Sequence, residues 1–111
     1  MYEYKAVVTK VYDGDTITVD IELGFGIYFN KQTLRLAYID TPEVRGEERP
    51  EGLISRDRVR ELVLGKEIII KTYKDKKGKY GRWIAEVFYD GNEISLNEQL
   101  INEGLAEKVI Y

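Results

Sequence analysis

Three short clusters in this 111-residue chain hold residue types that can do chemistry. The first is Asp13-Gly14-Asp15-Thr16, at a turn signal between two strand-like stretches. The second is Arg35-Leu36-Ala37-Tyr38-Ile39-Asp40-Thr41-Pro42-Glu43, where an arginine on a strand is followed by an aspartate and then a glutamate. The third is Lys79-Tyr80-Gly81-Arg82. Taken singly they read as a hairpin turn, a surface ion-pair set and a solvated hairpin tip. Taken together they describe a reaction. Asp15 and Asp40 are carboxylates at strand ends with no histidine beside them, the ligand set of a hard cation such as calcium or magnesium. Arg35 and Arg82 are guanidinium forks suited to bidentate contact with phosphate. Glu43 is a further carboxylate that can orient or deprotonate a water. A cation, two arginines and a carboxylate base are what in-line attack on a phosphodiester requires, because negative charge gathers on the phosphorane-like transition state.

Composition narrows the alternatives. The chain has no cysteine and no histidine, which removes disulfide partners, thiol nucleophiles, histidine bases and most zinc sites. Hydrophobic residues make up 43% and charged residues 33%, as in a globular protein. Net charge is −3, against a general nucleic-acid coat, but residues 71–82 hold six basic residues and one acid. That is a local +5 on a remainder of −8. Residues 86–107 hold six acids and no base. No apolar run could span a membrane, and no signal-peptide pattern opens the chain. A cytoplasmic compartment is expected, with a mature secreted form as the alternative. One domain over residues 1–111 is expected, as a monomer, since the motifs need no second chain.

The elements that must position these residues follow from periodicity. Residues 4–12 read as a strand, and Ile17, Val19, Ile21 and Leu23 alternate with polar residues as a second. Residues 24–32 read as a loop or splayed hairpin end, and 33–39 as a third strand, with Leu34, Leu36 and Tyr38 sharing one face. Pro50 suits a helix start and Gly65 its cap, with Ser55, Val59, Leu62 and Val63 on one stripe. Strands follow at 67–73 and 82–89, around a turn at 74–80. Ser95 and Glu98 form a capping box for a last helix that Gly104 ends. Five short strands with a helix between the third and fourth predict a mostly β, α+β fold: a five-stranded OB-type Greek-key barrel with two to three helices.

With Asn97-Glu98-Gln99-Leu100-Ile101-Asn102-Glu103-Gly104-Leu105-Ala106 added, four motifs stand in order, and the chain resembles the staphylococcal nuclease-like (thermonuclease) domain family over about residues 5–111. The resemblance implies an OB-type barrel that hydrolyses DNA or RNA with Ca2+, cuts the bond to the 5′ oxygen and leaves 3′-phosphates. It assigns Asp15, Asp40 and the main-chain carbonyl of Thr41 to the metal, Glu43 to the general base, and Arg35 and Arg82 to catalysis. Lys79 and Tyr80 match substrate-binding positions, and Tyr111 matches a third with its register one residue out. The departures are an acidic chain, a longer 24–32 segment and a divergent 44–49 loop, where Glu47, Glu48 and nearby Glu51 repel phosphate. The competing readings are a non-catalytic OB-type nucleic-acid-binding module and, more distantly, a protein-interaction domain. A binding-only barrel has no reason to keep Asp15, Arg35, Asp40, Glu43 and Arg82 together.

Overall fold

The alternating apolar residues of the first three strands curl them into one sheet that closes on itself. The computed structural model describes residues 2–77 and 81–110, with the side chains of 74–77 outside that description. The elements are β1 (Tyr2–Asp13), β2 (Thr16–Gly24), β3 (Ile27–Leu36), β4 (Ile39–Asp40), a 3₁₀ turn (Gly46–Glu48), α1 (Arg49–Val63), β5 (Glu67–Lys77), β6 (Trp83–Phe88), α2 (Leu96–Asn102) and β7 (Glu107–Lys108). The barrel order is β1-β2-β3-β6-β5, closed by β5 against β1, with β3 and β6 parallel and the other pairs antiparallel. Closure leaves no sheet edge, as the expected OB-type architecture requires. Val8, Ile17, Val19, Leu34, Leu36, Ile68, Ile70 and Val87 fill its interior, and Val59, Val63, Leu96 and Leu100 pack from the helices.

Three strand boundaries differ from expectation. Of the two readings for residues 24–32, the hairpin end holds, but it is paired rather than splayed: only residues 25–26 form the turn, and β3 begins at Ile27 and pairs with β2 through Ile21–Phe29, Glu22–Tyr28 and Gly24–Ile27. Two glycines and a run of exposed aromatics masked the alternation there. The strand expected at 33–39 breaks after Leu36. Tyr38 takes a φ of +61°, which turns its side chain out while Ala37 and Ile39 go in. Tyr38 therefore does not share the face of Leu34 and Leu36. Finally, β5 runs on to Lys77, whose backbone pairs with Trp83.

The helices fasten the barrel to the segment after β4. Pro50 opens α1, and Gly52, Ser55, Val59 and Val63 are its buried stripe. Ser55 Oγ donates to the Leu105 carbonyl at 2.8 Å. Ser95 caps α2 by accepting from the Glu98 N–H at 3.0 Å. Past α2 the chain returns as β7 to pair with β4, placing Glu107 opposite Asp40.

Candidate active site

The tight turn between β1 and β2 presents Asp15 inward, 6% exposed. Its carboxylate accepts from the Thr16 hydroxyl at 3.1 Å and from the Thr41 N–H at 3.1 Å. Arg35 Nη2 stands 3.3 Å from Asp15 Oδ2 and 3.5 Å from Asp40 Oδ1. One guanidinium thus ties together two carboxylates 25 residues apart in sequence. The main chain fixes the same junction, since the Leu36 N–H donates to the Asp15 carbonyl at 2.8 Å. Arg35 also donates to the Leu36 carbonyl at 3.0 Å, which holds its head in place. Arg82, at the entrance to β6, lays Nη1 3.5 Å from Thr16 Oγ1, so both arginines reach the rim of this turn from different strands.

Burial and charge set the protonation preferences. Burial disfavours ionisation of Asp15, yet the hydrogen bond with Asp13, the Arg35 charge and the Thr41 N–H together hold its carboxyl below the usual range. Asp40 moves the other way: partial burial and the nearby Asp15 charge raise it. Asp13 is pushed up to about 7, first by burial and then by its hydrogen bond to Asp15 and that residue's charge. Its carboxylate accepts the Asp15 N–H at 3.1 Å. Sequence reasoning treated Asp13 only as a turn former. The D-x-D spacing that puts a second carboxyl beside the first was the signal for it.

Glu43 is exposed, just past Pro42, and its N–H donates to Glu48 Oε1 at 3.2 Å. It lines a groove of about 300 Å3 shared with Asp40, Thr41, Glu48, Glu51, Ser55, Leu105 and Glu107. Asp15, Arg35, Asp40, Thr41 and Glu43 are thus brought to one place, with Arg82 at the rim. Lys79, Tyr80 and Tyr111 lie outside the described residues. Lys74, Lys76 and Lys77 are placed on β5 by the backbone alone.

Among the described residues, no group of three or more histidine, cysteine or acidic side chains is arranged as a metal cage. The donors that do converge are two carboxylates and the Thr41 segment. Thr41 Oγ1 is buried there with no hydrogen-bond partner among the described residues. Such an orphaned oxygen beside two carboxylates suits a hard cation that completes its shell with waters and substrate oxygens.

A closed five-stranded OB-type barrel with an arginine-bridged carboxylate pair beside its β1–β2 turn defines the class. Residues 33–111 match the model of a family described as staphylococcal nuclease homologue, and the chain belongs to that family. The matched span holds Arg35, Asp40, Thr41, Glu43 and Arg82, while Asp15 precedes it. The chain is similar to endonuclease YncB of Bacillus subtilis, at 37% identity over 107 residues, covering 92% of this chain and 46% of that protein. It is equally similar to the SPbeta prophage-derived endonuclease YokF of the same organism, at 37% over 106 residues, covering 92% and 33%. An uncharacterised Methanocaldococcus jannaschii protein, MJ1439, is 28% identical over 130 residues, covering 96% and 60%. The chain spans less than half the length of the two Bacillus subtilis relatives.

Proposed function

We propose that this domain is a calcium-dependent nuclease that hydrolyses phosphodiester bonds of DNA or RNA and leaves 3′-phosphates. The observation that carries this reading is the single Arg35 guanidinium shared by Asp15 and Asp40, with the Thr41 N–H closing the same carboxylate. The family membership and the endonuclease names of two relatives support it. Asp15, Asp40 and the Thr41 carbonyl would hold Ca2+, which when bound supplies positive charge to the phosphate. Glu43 takes a proton from the attacking water, the role that no histidine can fill here. Arg35 and Arg82 grip the phosphate oxygens, where charge increases as water adds to phosphorus and the bond to the 5′ oxygen breaks. Lys79, Tyr80 and Tyr111 take the flanking nucleotide, as the family resemblance implies.

The test is incubation with end-labelled single-stranded DNA, with calcium and then with chelator, followed by end-group analysis. Calcium-dependent fragments ending in 3′-phosphate are expected. DNA left intact under both conditions overturns the reading.

A further inference from the structure

Gly52 lies in the first turns of α1 and is buried. A Cβ at this position would stand 2.0 Å from the Glu43 carbonyl oxygen, 2.5 Å from the Glu43 carbonyl carbon and 2.9 Å from the Pro42 oxygen. All three are backbone atoms, so no side-chain rotation relieves the clash. Gly14 is close to the neighbouring Thr41, where a Cβ would stand 2.8 Å from Thr41 Cγ2 and 2.9 Å from Ser55 Cβ. Neither glycine has a left-handed φ, so each is needed for space and not for conformation. A third hold comes from the 3₁₀ turn, where Glu48 accepts the Glu43 N–H at 3.2 Å.

We propose that Gly52 and Glu48 are positioning residues for Glu43. Gly52 admits the 42–43 backbone against the helix, and Glu48 ties down its N–H. The inference rests on Glu43 handling the attacking water, as read above. A side chain at 52 must displace either the helix or the segment. The helix is the stiffer of the two, since Val59 and Val63 anchor it in the core and Ser55 bonds across to Leu105. Taking the Glu43 oxygen from 2.0 Å to an ordinary contact at 3.4 Å therefore shifts this segment by about 1.4 Å, well over the tolerance of a reacting geometry. A misplacement of about 1 Å can cost on the order of 10²-fold in rate.

The experiment measures kcat and KM per folded molecule for wild type, Gly52→Ala, Glu48→Ala, Glu43→Gln and the two doubles with Glu43→Gln. Gly52→Ala is expected to lower kcat by about 10²-fold with KM nearly unchanged. Glu48→Ala leaves the buried packing intact and is expected to lower kcat by roughly 3- to 10-fold, the worth of one hydrogen bond. Neither change should lower the rate further once Glu43 is Gln, because both act through it. Val63→Ala, which weakens the far end of α1, should keep its kcat while melting lower. An undiminished kcat in Gly52→Ala overturns the proposal, as does a loss that persists in the Glu43→Gln background. If Gly52→Ala does not fold, an undiminished kcat in Glu48→Ala overturns it alone. An inactive wild type removes the nuclease reading and this inference with it; an active wild type with unaffected variants removes only the inference.

Discussion

Asp15, proposed above as a cation ligand, is also a structural anion. Two neighbouring carboxylates should repel, and from charge alone its neutralisation would leave the protein as stable or more so. The structure reverses that expectation, because Arg35, the Thr41 N–H and the Thr16 hydroxyl all favour the ionised form. Asp15→Asn is expected to cost about 1–3 kcal/mol without cation, since a buried charged partner is removed and Arg35 keeps only Asp40 of its two carboxylates. The same change should remove the calcium-induced rise in Tm, which at a hundredfold excess over Kd is worth about 2.7 kcal/mol. Melting curves with calcium and with chelator check both, and an equal calcium shift in the two proteins removes Asp15 from the metal site. If Arg82 grips phosphate as proposed, its fork is expected to matter more than its charge. Arg82→Lys should lose activity nearly as badly as Arg82→Ala. A mostly restored rate with lysine would show that a point charge suffices. Glu43→Gln should cut kcat by about 10² to 10⁴ with substrate affinity retained, and wild-type turnover at saturating calcium would end its role as base.

The site's elements are held in register by contacts that catalysis does not use. Asn97, 4% exposed in α2, accepts the Val87 N–H at 3.1 Å and donates to the Ala37 and Ala85 carbonyls at 2.9 and 3.1 Å. It locks α2 to the junction where β3 ends and β6 runs beside it. Asn97→Ala strands the buried Val87 N–H and Ala37 carbonyl, while the Ala85 carbonyl keeps the Ala37 N–H at 2.8 Å, and should cost on the order of 3 kcal/mol, read as a lower denaturant midpoint. Past α2, Glu103 receives Arg58 Nε at 2.8 Å and Nη2 at 3.0 Å, joining the two helices. The Arg58 hydrogen bonds, then Gln99, lower the Glu103 carboxyl below the ordinary range. A depressed folded-state value adds stability above the unfolded-state pKa and loses it as pH falls through the folded one. Glu103→Gln should therefore melt slightly lower than wild type at pH 7 and converge with it in acid. A gap that stays constant on acidification would show that the ion pair contributes through packing instead.

Across the whole molecule, charge is unevenly divided along the sequence. The groove past Glu43 is acidic, lined by Asp40, Glu48, Glu51 and Glu107, whereas the lysine-rich part of the sequence begins on β5. A polyanion is repelled by the first and drawn to the second. Neutralising Lys76 and Lys77 should weaken substrate capture and flatten its salt dependence, with the log–log slope falling by about 0.7 for each single-strand phosphate that a lysine no longer neutralises. The chemical step should not change. A slope equal to wild type would mean that these lysines are solvated surface and guide nothing.

Alternation, turn residues and capping signals are local, and they were enough for the barrel, the helix between the third and fourth strands, and the capped last helix. Part of the candidate site was legible as well: Asp15, Arg35 and Asp40 were singled out from short motifs, and the structure brings these three side chains together. What the sequence could not show depends on contacts far apart along the chain. The kink at Tyr38 exists because Ala37 and Ile39 are both drawn into the core, and β7 closes on β4 there. The sharing of Arg35 between Asp15 and Asp40 depends on β-sheet register. The need for glycine at 14 and 52 appears only when the Thr41–Glu43 segment is laid against a turn and a helix. The raised pKa of Asp13 likewise comes from burial, which no pattern of residue types records.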